Sequence, residues 1–171
     1  MTRTSLNARV KIEKSHPVIE LRGKLDSLNA QIILFQAGSH NDEYINDLEQ
    51  VRGVVNVIQK CEAGEKVFDG ELVLWEMSEG ELHERSHNPM KYYGKGHILP
   101  HYEMKREAAE INFLRTLARE CEVIACRAYD SNDRLKIIHA LNRLSSALYV
   151  LTYKYLPEDY DKVLRFGGGR I

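Results

Sequence analysis

The sequence is poor in the features that mark secreted, membrane-spanning or nucleic-acid-binding proteins. Its 171 residues contain three cysteines, at positions 61, 121 and 126, and no Cys-x-x-Cys pair. The last two fall inside a helical pattern, so we expect reduced thiols and no structural disulfide. The 24 lysines and arginines balance 25 aspartates and glutamates. This balance argues against nucleic acid as a partner, because that role needs a basic surplus.

Long apolar runs are also missing. No segment approaches the roughly 18 apolar residues that a membrane span requires, and the first ten residues lack the apolar core of a signal peptide. We therefore expect a cytoplasmic protein with no membrane partner. A chain of this length suits one domain, which we predict to span residues 1–171.

Apolar residues recur at steps of three and four along four long segments, which is the spacing of one helical face. The predicted helices cover about residues 17–38, 42–63, 103–129 and 133–156. Glycines and prolines cut the connector 64–100 into pieces that leave room for one or two short helices. The last helix is expected to bury Leu135, Ile138, Leu141, Leu144, Leu148 and Leu151.

No segment of any length alternates between apolar and polar residues as a strand does. We therefore predict an all-α fold, an antiparallel bundle of four to five helices.

A charged stripe lies on the third long helix. Arg115, Arg119 and Glu122 follow one another at spacings of four and three, so they stack on one face, with Asn112 before them. Two guanidinium groups one turn apart make a good polyphosphate clamp, because each presents a fixed fork of donors and keeps its charge. The alternative is an exposed ladder of salt bridges, worth only tenths of a kcal/mol. Spacing alone favours the ladder.

Two further polar residues lie beside apolar faces. Asn142 borders the apolar face of the last helix, where its amide needs partners that are either a neighbouring helix or a ligand. Asp26 lies next to Leu25 and Leu28 on the first helix, and a carboxylate in such a place usually has a cationic partner.

Histidines gather in the connector, with His83 and His87 one helical turn apart, followed by His97 and His101. The first two have metal-ligand spacing, and residues 84–87 also form a Glu-x-x-His motif of the kind found in di-iron bundles. Di-iron bundles need two such motifs and two more inward glutamates, and we find only one. An ordinary polar role for these histidines is therefore the favoured interpretation.

Together these residues resemble the ATP-dependent corrinoid adenosyltransferases of the propanediol-utilisation and ethanolamine-utilisation types. The resemblance covers about residues 14–155 and is specific in four segments, which are Leu25 to Ile32, His97 to Pro100, Arg115 to Glu122 and Leu141 to Ser145. It is nearest to the ethanolamine type, because residues 81–89 and the histidine at position 97 look like that branch. The resemblance implies a ferritin-like, cobalamin adenosyltransferase-like bundle that assembles as a homotrimer.

The activity implied by this resemblance is transfer of the 5′-deoxyadenosyl group of ATP to the cobalt of cob(I)alamin, which gives adenosylcobalamin and triphosphate. The catalytic residues would be Asp26, Arg115 and Arg119, with Asp26 pairing with Arg115 of an adjacent subunit. ATP would be held between subunits by Lys14, Arg119, Glu122 and Asn142, and Mg²⁺ would arrive with ATP and need no protein ligand.

The same resemblance implies that His97 and Asp26 contact the corrinoid. Relatives place a bulky apolar residue where His97 stands, and that residue displaces the lower axial ligand so that cobalt is reduced more easily. His97 either acts as this wedge or coordinates cobalt. The glycine-rich ATP loop of the propanediol type and the cysteine-rich metal site of the ethanolamine type have no counterpart in this sequence, so no metal site made of cysteines is expected.

The resemblance also implies partners and a location. An adenosylcobalamin-dependent enzyme would receive the product, a flavin-type reductase would supply electrons, and association with a bacterial microcompartment would be compatible with the cytoplasmic prediction. Two other functions stay open. One is a corrinoid carrier or chaperone of the same fold with reduced catalysis, which the missing loop favours, and the other is a purely structural helical adaptor.

Overall fold

The computed structural model describes residues 3–5, 11–64, 71–129 and 132–164. Its helices are α1 (Pro17–Ala37), α2 (Asp42–Ala63), α3 (Glu79–His87), α4 (Pro89–Tyr93), α5 (Lys105–Ala128) and α6 (Asn132–Tyr155). Two short antiparallel hairpins pair β1 (Arg3–Ser5) with β2 (Lys11–Glu13) and β3 (Val73–Leu74) with β4 (Met77–Ser78). A 3-10 turn at Tyr102–Met104 precedes α5. The all-α prediction is confirmed, and the expectation of no strands is wrong for these two short hairpins.

The ends of the first two long helices follow from local chemistry. Pro17 occupies the first turn of α1, where its missing N–H costs nothing, and the ring of His16 accepts a hydrogen bond from the amide of Val18. Asn41 caps α2 by accepting from the amide of Tyr44 at 3.2 Å. Gly64 then ends α2 in the left-handed region, at φ 82°. These limits match the predicted ones to within about a residue.

α1 runs antiparallel to α2, as contacts at its two ends show. Near its start, Arg22 bonds Glu62 at the far end of α2, and near its end Gln36 donates to the carbonyl of Ile45 at the beginning of α2. Two helices whose opposite ends meet in this way can only be antiparallel.

α5 is antiparallel to α1 on the other side. Lys24 is paired with Glu120, and Phe35 packs edge-on against Phe113 with ring centroids 6.3 Å apart. α6 closes the ring of four long helices, since it bonds α2 through Lys154 and Asp47 and packs along α5. The predicted antiparallel bundle is confirmed.

The main core is formed by the inward faces of the four long helices, together with Leu72, Leu74 and Leu82 of the connector. The apolar neighbours of the charged stripe are all buried, namely Ile111, Leu114, Ala118, Cys121 and Ala125. On α6, Leu141, Leu144, Leu148 and Leu151 are buried as predicted and Ile138 is partly buried. Leu135 is 50% exposed, which corrects its predicted place, because Ile137 occupies the inward position in that turn. None of the helices in the described ranges contains an apolar stretch sufficient to span a bilayer.

The connector between α2 and α5 has to travel the length of the bundle, because α5 begins at the end of α1 opposite to the one where α2 stops. It does so along α6: Glu79 at the start of α3 meets His139 near the start of α6, and His97 meets Tyr149 farther along it. The predicted one or two short helices are α3 and α4.

Residues 157–164, here called the strap, return from α6 and pair with the end of the connector. The amide of Leu164 donates to the carbonyl of His97 at 2.7 Å, and the amide of Leu99 donates to that of Lys162 at 2.9 Å. The segment around His97 is therefore held between α6 and the strap. The sequence also predicts a turn and possible caps for the last helix at residues 130–133, of which residues 130 and 131 lie outside the described residues, as do the glycine-rich residues 165–171.

Candidate functional site

Three residues of the predicted nucleotide site form one bonded group. Arg119 on α5 donates to one oxygen of Glu122 at 2.8 Å, and Asn142 on α6 donates to the other oxygen at 2.8 Å. The Glu122 side chain is only 14% exposed, whereas that of Arg119 is 58% exposed. The acidic residue thus fixes the arginine and the asparagine on two helices and leaves most of the guanidinium group accessible.

Arg115 lies one turn before Arg119 and has a different environment. Its Nε donates to Asn112 at 3.1 Å, and its guanidinium carbon lies 6.0 Å from the ring centroid of Tyr149 on α6. Burial lowers the pKa of Arg115, and the nearby cation of Arg119 lowers it further, while Tyr149 acts in the opposite direction. Arginine nevertheless keeps its proton at any physiological pH. Among the described residues Arg115 makes no salt bridge, so the ladder interpretation describes Arg119 and Glu122 but fails for Arg115.

Tyr149 connects this stripe to His97. Its hydroxyl lies 3.1 Å from Nδ1 of His97, accepts from the amide of Ile98 at 3.0 Å and contacts the hydroxyl of Tyr153 at 3.1 Å. The rings of His97 and Tyr149 are nearly parallel, at 17°, with centroids 6.1 Å apart. The predicted corrinoid residue and the predicted phosphate clamp therefore share a contact with one tyrosine.

A cavity of about 620 Å³ opens beside the stripe, between α1 and α5. Both stripe arginines line it, together with Lys24 and Arg127 and the apolar side chains of Val123 and Ile124. Lys24 and Arg127 are paired with Glu120 and Glu20. Glu20 and Glu120 line it as well, so its walls carry charges of both signs beside apolar side chains, and its volume is that of a small-molecule site.

Asp26 lies elsewhere, on the side of α1 that faces α2. It is exposed and accepts a hydrogen bond from Gln59 at 3.2 Å, so its predicted cationic partner is not found among the described residues. It lines a second cavity of about 500 Å³ together with Thr4 of β1, Arg22 and Glu62. Lys14 is exposed in the turn between β2 and α1, an element apart from the helix that carries the stripe.

The connector histidines form no metal centre with other residues in the ranges described. His83 and His87 are exposed neighbours with ring centroids 4.2 Å apart, and Nδ1 of His87 lies 2.9 Å from the carbonyl oxygen of His83. Burial and the charge of Arg143 lower the pKa of His83. No group of three or more histidine, cysteine, aspartate or glutamate side chains in these ranges is arranged to hold a metal ion.

Tyr149 and Tyr153 are the site residues that the sequence reasoning missed. They lie one turn apart on α6. Tyr149 is seven residues after Asn142, so the two tyrosines and Asn142 lie on the same helical face. That spacing was readable from the sequence. The hydrogen bonds of Tyr149 to a distant connector were not.

Comparisons with known proteins agree on one family. The family model described as cobalamin adenosyltransferase matches residues 1–155. The chain is 32% identical over 154 residues to the corrinoid adenosyltransferase EutT of Salmonella typhimurium and 33% identical over 155 residues to that of Escherichia coli K12. Each match covers 88% of this chain, and the chain spans 57% of the length of these curated relatives.

A solved structure has the same fold. It is a variant, with one phenylalanine replaced by histidine, of a PduO-type ATP:corrinoid adenosyltransferase from Lactobacillus reuteri complexed with cobalamin and ATP. The two chains superpose with a TM-score of 0.63 over 95% of each, at 20% identity. At that identity the likeness establishes the helical-bundle fold alone.

Proposed function

We propose that this chain, which belongs to the cobalamin adenosyltransferase family, transfers the 5′-deoxyadenosyl group of ATP to the cobalt of cob(I)alamin and releases triphosphate. One observation carries the proposal. The bonded group of Arg119, Glu122 and Asn142 adjoins Arg115, and Arg115 shares Tyr149 with His97. Residues suited to a nucleotide and a residue suited to a corrinoid therefore adjoin each other, as a reaction between the two substrates requires.

The chemistry asks for positioning and charge stabilisation more than for acid or base catalysis. The electron pair of Co(I) forms the new cobalt–carbon bond at C5′ of the ribose, and the bond from C5′ to the triphosphate oxygen breaks with its electron pair on triphosphate. Negative charge grows on that leaving group. Arg115 and Arg119 are placed one turn apart to stabilise it, and Arg115 does so from a partly desolvated position, where electrostatic stabilisation is stronger. Mg²⁺ bound to the phosphates of ATP would add Lewis-acid stabilisation without a protein ligand.

The position of Asp26 supports an active site shared between subunits. In one copy of the chain, Asp26 bonds Gln59 on the α2 side of α1, whereas Arg115 lies against Tyr149 of α6. A pair between Asp26 and Arg115 therefore requires a second copy. We propose a homotrimer of single-domain subunits, residues 1–171, in which these two residues meet across the interface.

The same assembly gives Lys14 a role. The β1–β2 hairpin adjoins the Asp26 cavity through Thr4, and Lys14 follows this hairpin. An interface that brings Asp26 to the stripe of a neighbour also brings the hairpin there. Lys14 would then reach the phosphates of an ATP molecule held by Arg119, Glu122 and Asn142 of that neighbour.

His97 is the proposed contact on the lower face of the corrinoid, with Asp26 of the neighbouring subunit beside it. The proposal also includes two protein partners: an adenosylcobalamin-dependent enzyme that receives the product and a flavin-type reductase that supplies electrons. The proposed location is the cytoplasm, which is compatible with association with a microcompartment. The name EutT of the relatives, which refers to ethanolamine utilisation, supports that pathway as the destination of the product.

A turnover assay tests the function. The purified chain is mixed with ATP, Mg²⁺ and chemically reduced cob(I)alamin, and adenosylcobalamin is measured by its light-sensitive absorption spectrum. We expect catalytic formation of adenosylcobalamin. Corrinoid binding without turnover would instead support the carrier alternative, and the absence of both binding and turnover would support the structural adaptor.

A further inference from the structure

The hydroxyl group of Tyr149 has three hydrogen-bond partners and only one proton. The partners are the amide of Ile98 at 3.0 Å, Nδ1 of His97 at 3.1 Å and the hydroxyl of Tyr153 at 3.1 Å. An amide N–H can only donate, so Tyr149 accepts from Ile98. One further hydrogen bond can be accepted and one can be donated, because a phenol oxygen has two lone pairs and one proton.

Tyr153 decides how these two are assigned. Its hydroxyl donates to the carbonyl oxygen of Gly96 at 2.8 Å, and a carbonyl can only accept. The single proton of Tyr153 is thus already used. The contact between the two hydroxyl groups is therefore a hydrogen bond only if Tyr149 donates it to Tyr153. Both tyrosines are at least partly buried, and a pair of hydroxyl oxygens 3.1 Å apart with no proton between them would be unfavourable there.

The proton of Tyr149 is therefore committed to Tyr153, and Tyr149 must accept from His97. We propose that Tyr149 and Tyr153 form a relay that fixes the neutral imidazole of His97 as its Nδ1–H tautomer, so that Nε2 carries the lone pair. The relay runs from His97 Nδ1–H to Tyr149, from Tyr149 to Tyr153, and from Tyr153 to the carbonyl of Gly96. Gly96 directly precedes His97, so the relay starts and ends on the same connector segment.

The tautomer of His97 has a consequence for the corrinoid, and this consequence rests on the proposed function. A lone pair on Nε2 is able to accept a hydrogen bond or to donate electrons to a metal such as cobalt, whereas a protonated Nε2 is not. Tyr149 and Tyr153 would then be positioning residues that act through His97. The tautomer itself is a property of the protein without ATP or corrinoid, so it can be tested independently of any activity.

The test is ¹⁵N NMR of protein labelled at the histidine nitrogens, recorded without substrates at a pH where imidazoles are neutral. The protonated and the unprotonated ring nitrogen have well-separated ¹⁵N shifts, and the His97→Gln variant assigns the signals of His97 among the seven histidines. In the wild type we expect a protonated Nδ1 and an unprotonated Nε2. A protonated Nε2 would overturn the proposal.

The Tyr153→Phe variant tests the relay without touching His97. Loss of the Tyr153 oxygen leaves the Tyr149 proton without its acceptor, so it should turn to Nδ1 of His97 and move the imidazole proton to Nε2. An unchanged tautomer would show that Tyr153 has no part in it. Tyr160→Phe is the matched control: it removes the hydroxyl of another buried tyrosine, which bonds the carbonyl of Leu99, and should leave His97 unchanged. The wild-type spectrum decides the tautomer even if a variant fails to fold.

Discussion

The side-chain amide of Asn142 donates to the carboxylate of Glu122 at 2.8 Å and so links α6 to α5. The other oxygen of that carboxylate accepts a hydrogen bond from the guanidinium group of Arg119. Glu122 therefore organises a cation and an amide that the proposed function assigns to one ATP molecule. Its removal should affect nucleotide use more than it affects the fold.

The Glu122→Gln variant should lose about 10- to 100-fold in kcat/KM for ATP, which corresponds to the ~1.5–3 kcal/mol of a hydrogen bond to a charged group. Glu49 offers a matched control on α2. It too bonds an arginine three residues away, Arg52, and an amide of a neighbouring helix, Gln36. Adenosylation kinetics should be normal for Glu49→Gln. An equal loss in both variants would contradict a specific role for Glu122.

Subunit mixing tests the interface that the separation of Asp26 and Arg115 predicts. Asp26→Asn and Arg115→Gln should each be nearly inactive alone. When the two variants are produced together, an interface that takes Asp26 from one subunit and Arg115 from the next is again intact. Random mixing should restore about a quarter of the wild-type activity, because each subunit has one chance in two at each position.

The control for this mixing experiment combines Asp26→Asn with Asp26→Ala, which restores nothing in any arrangement. Recovery that fails in the first mixture, although mixed trimers are shown by mass spectrometry, would rule out the shared site.

The close approach of the connector to the strap predicts opposite effects for two glycines. A Cβ on Gly96 would overlap the backbone carbonyl oxygen of Leu164, whereas Gly53 in the middle of α2 has no atom near its Cβ position. Gly96→Ala should therefore lower the free energy of unfolding by about 1–3 kcal/mol, as overpacking does. Gly53→Ala should raise it by up to about 1 kcal/mol, because alanine is the better helix former.

Thermal unfolding measures both effects, and limited proteolysis locates the first. Cleavage in the strap should become faster in Gly96→Ala and stay unchanged in Gly53→Ala. A Gly96→Ala protein as stable as the wild type would mean that the strap does not hold the His97 segment in the way described.

Burial predicts unequal reactivity of the cysteines. It raises the pKa of the Cys121 thiol to about 12, while Cys126 is exposed. The thiolate is the reactive form, so the folded protein at pH 8 should react with a thiol reagent at Cys126 and resist at Cys121. Mass spectrometry of peptides after a timed reaction checks this. Comparable labelling of both residues before unfolding would contradict the buried position of Cys121.

The same pKa shift makes the stability of the fold depend on pH. The folded pKa of Cys121 lies above the ~8.5 of an unfolded thiol, so its contribution is fully present below pH ~8.5 and is lost as the pH rises towards 12. Over this range the wild type should lose more stability than Cys121→Ala, as measured by denaturant midpoints.

Much of the fold was predictable because its signals are local. Pro17 and Asn41 mark helix starts by their own chemistry, and the steps of three and four along the four long segments mark the buried faces. The β3–β4 hairpin escaped prediction because its turn, Trp75 and Glu76, has positive φ at both residues without a glycine or asparagine to signal it. The prediction that Leu135 is buried is wrong because an apolar residue in the first turn of a helix can lie outside the face that the later turns define.

The candidate site was predictable along each helix but not between elements. The spacing of Arg115, Arg119 and Glu122 could be read from the sequence, and so could Asn142 on another helix. That Asn142 bonds Glu122, or that Tyr149 joins Arg115 to His97, depends on how helices and connector pack, which no residue spacing encodes.

Two arginines of α5 show whether its guanidinium stripe acts on a nucleotide beside a corrinoid. Arg119 and Arg106 are both mostly exposed, at 58% and 65%, and each is paired with a glutamate one turn away. The measurement is kcat/KM for ATP in the adenosylation of cob(I)alamin by Arg119→Ala and Arg106→Ala. We expect a loss of about 100-fold or more for Arg119→Ala and near wild-type activity for Arg106→Ala. Equal activity of the two variants would show that the stripe has no role in nucleotide use.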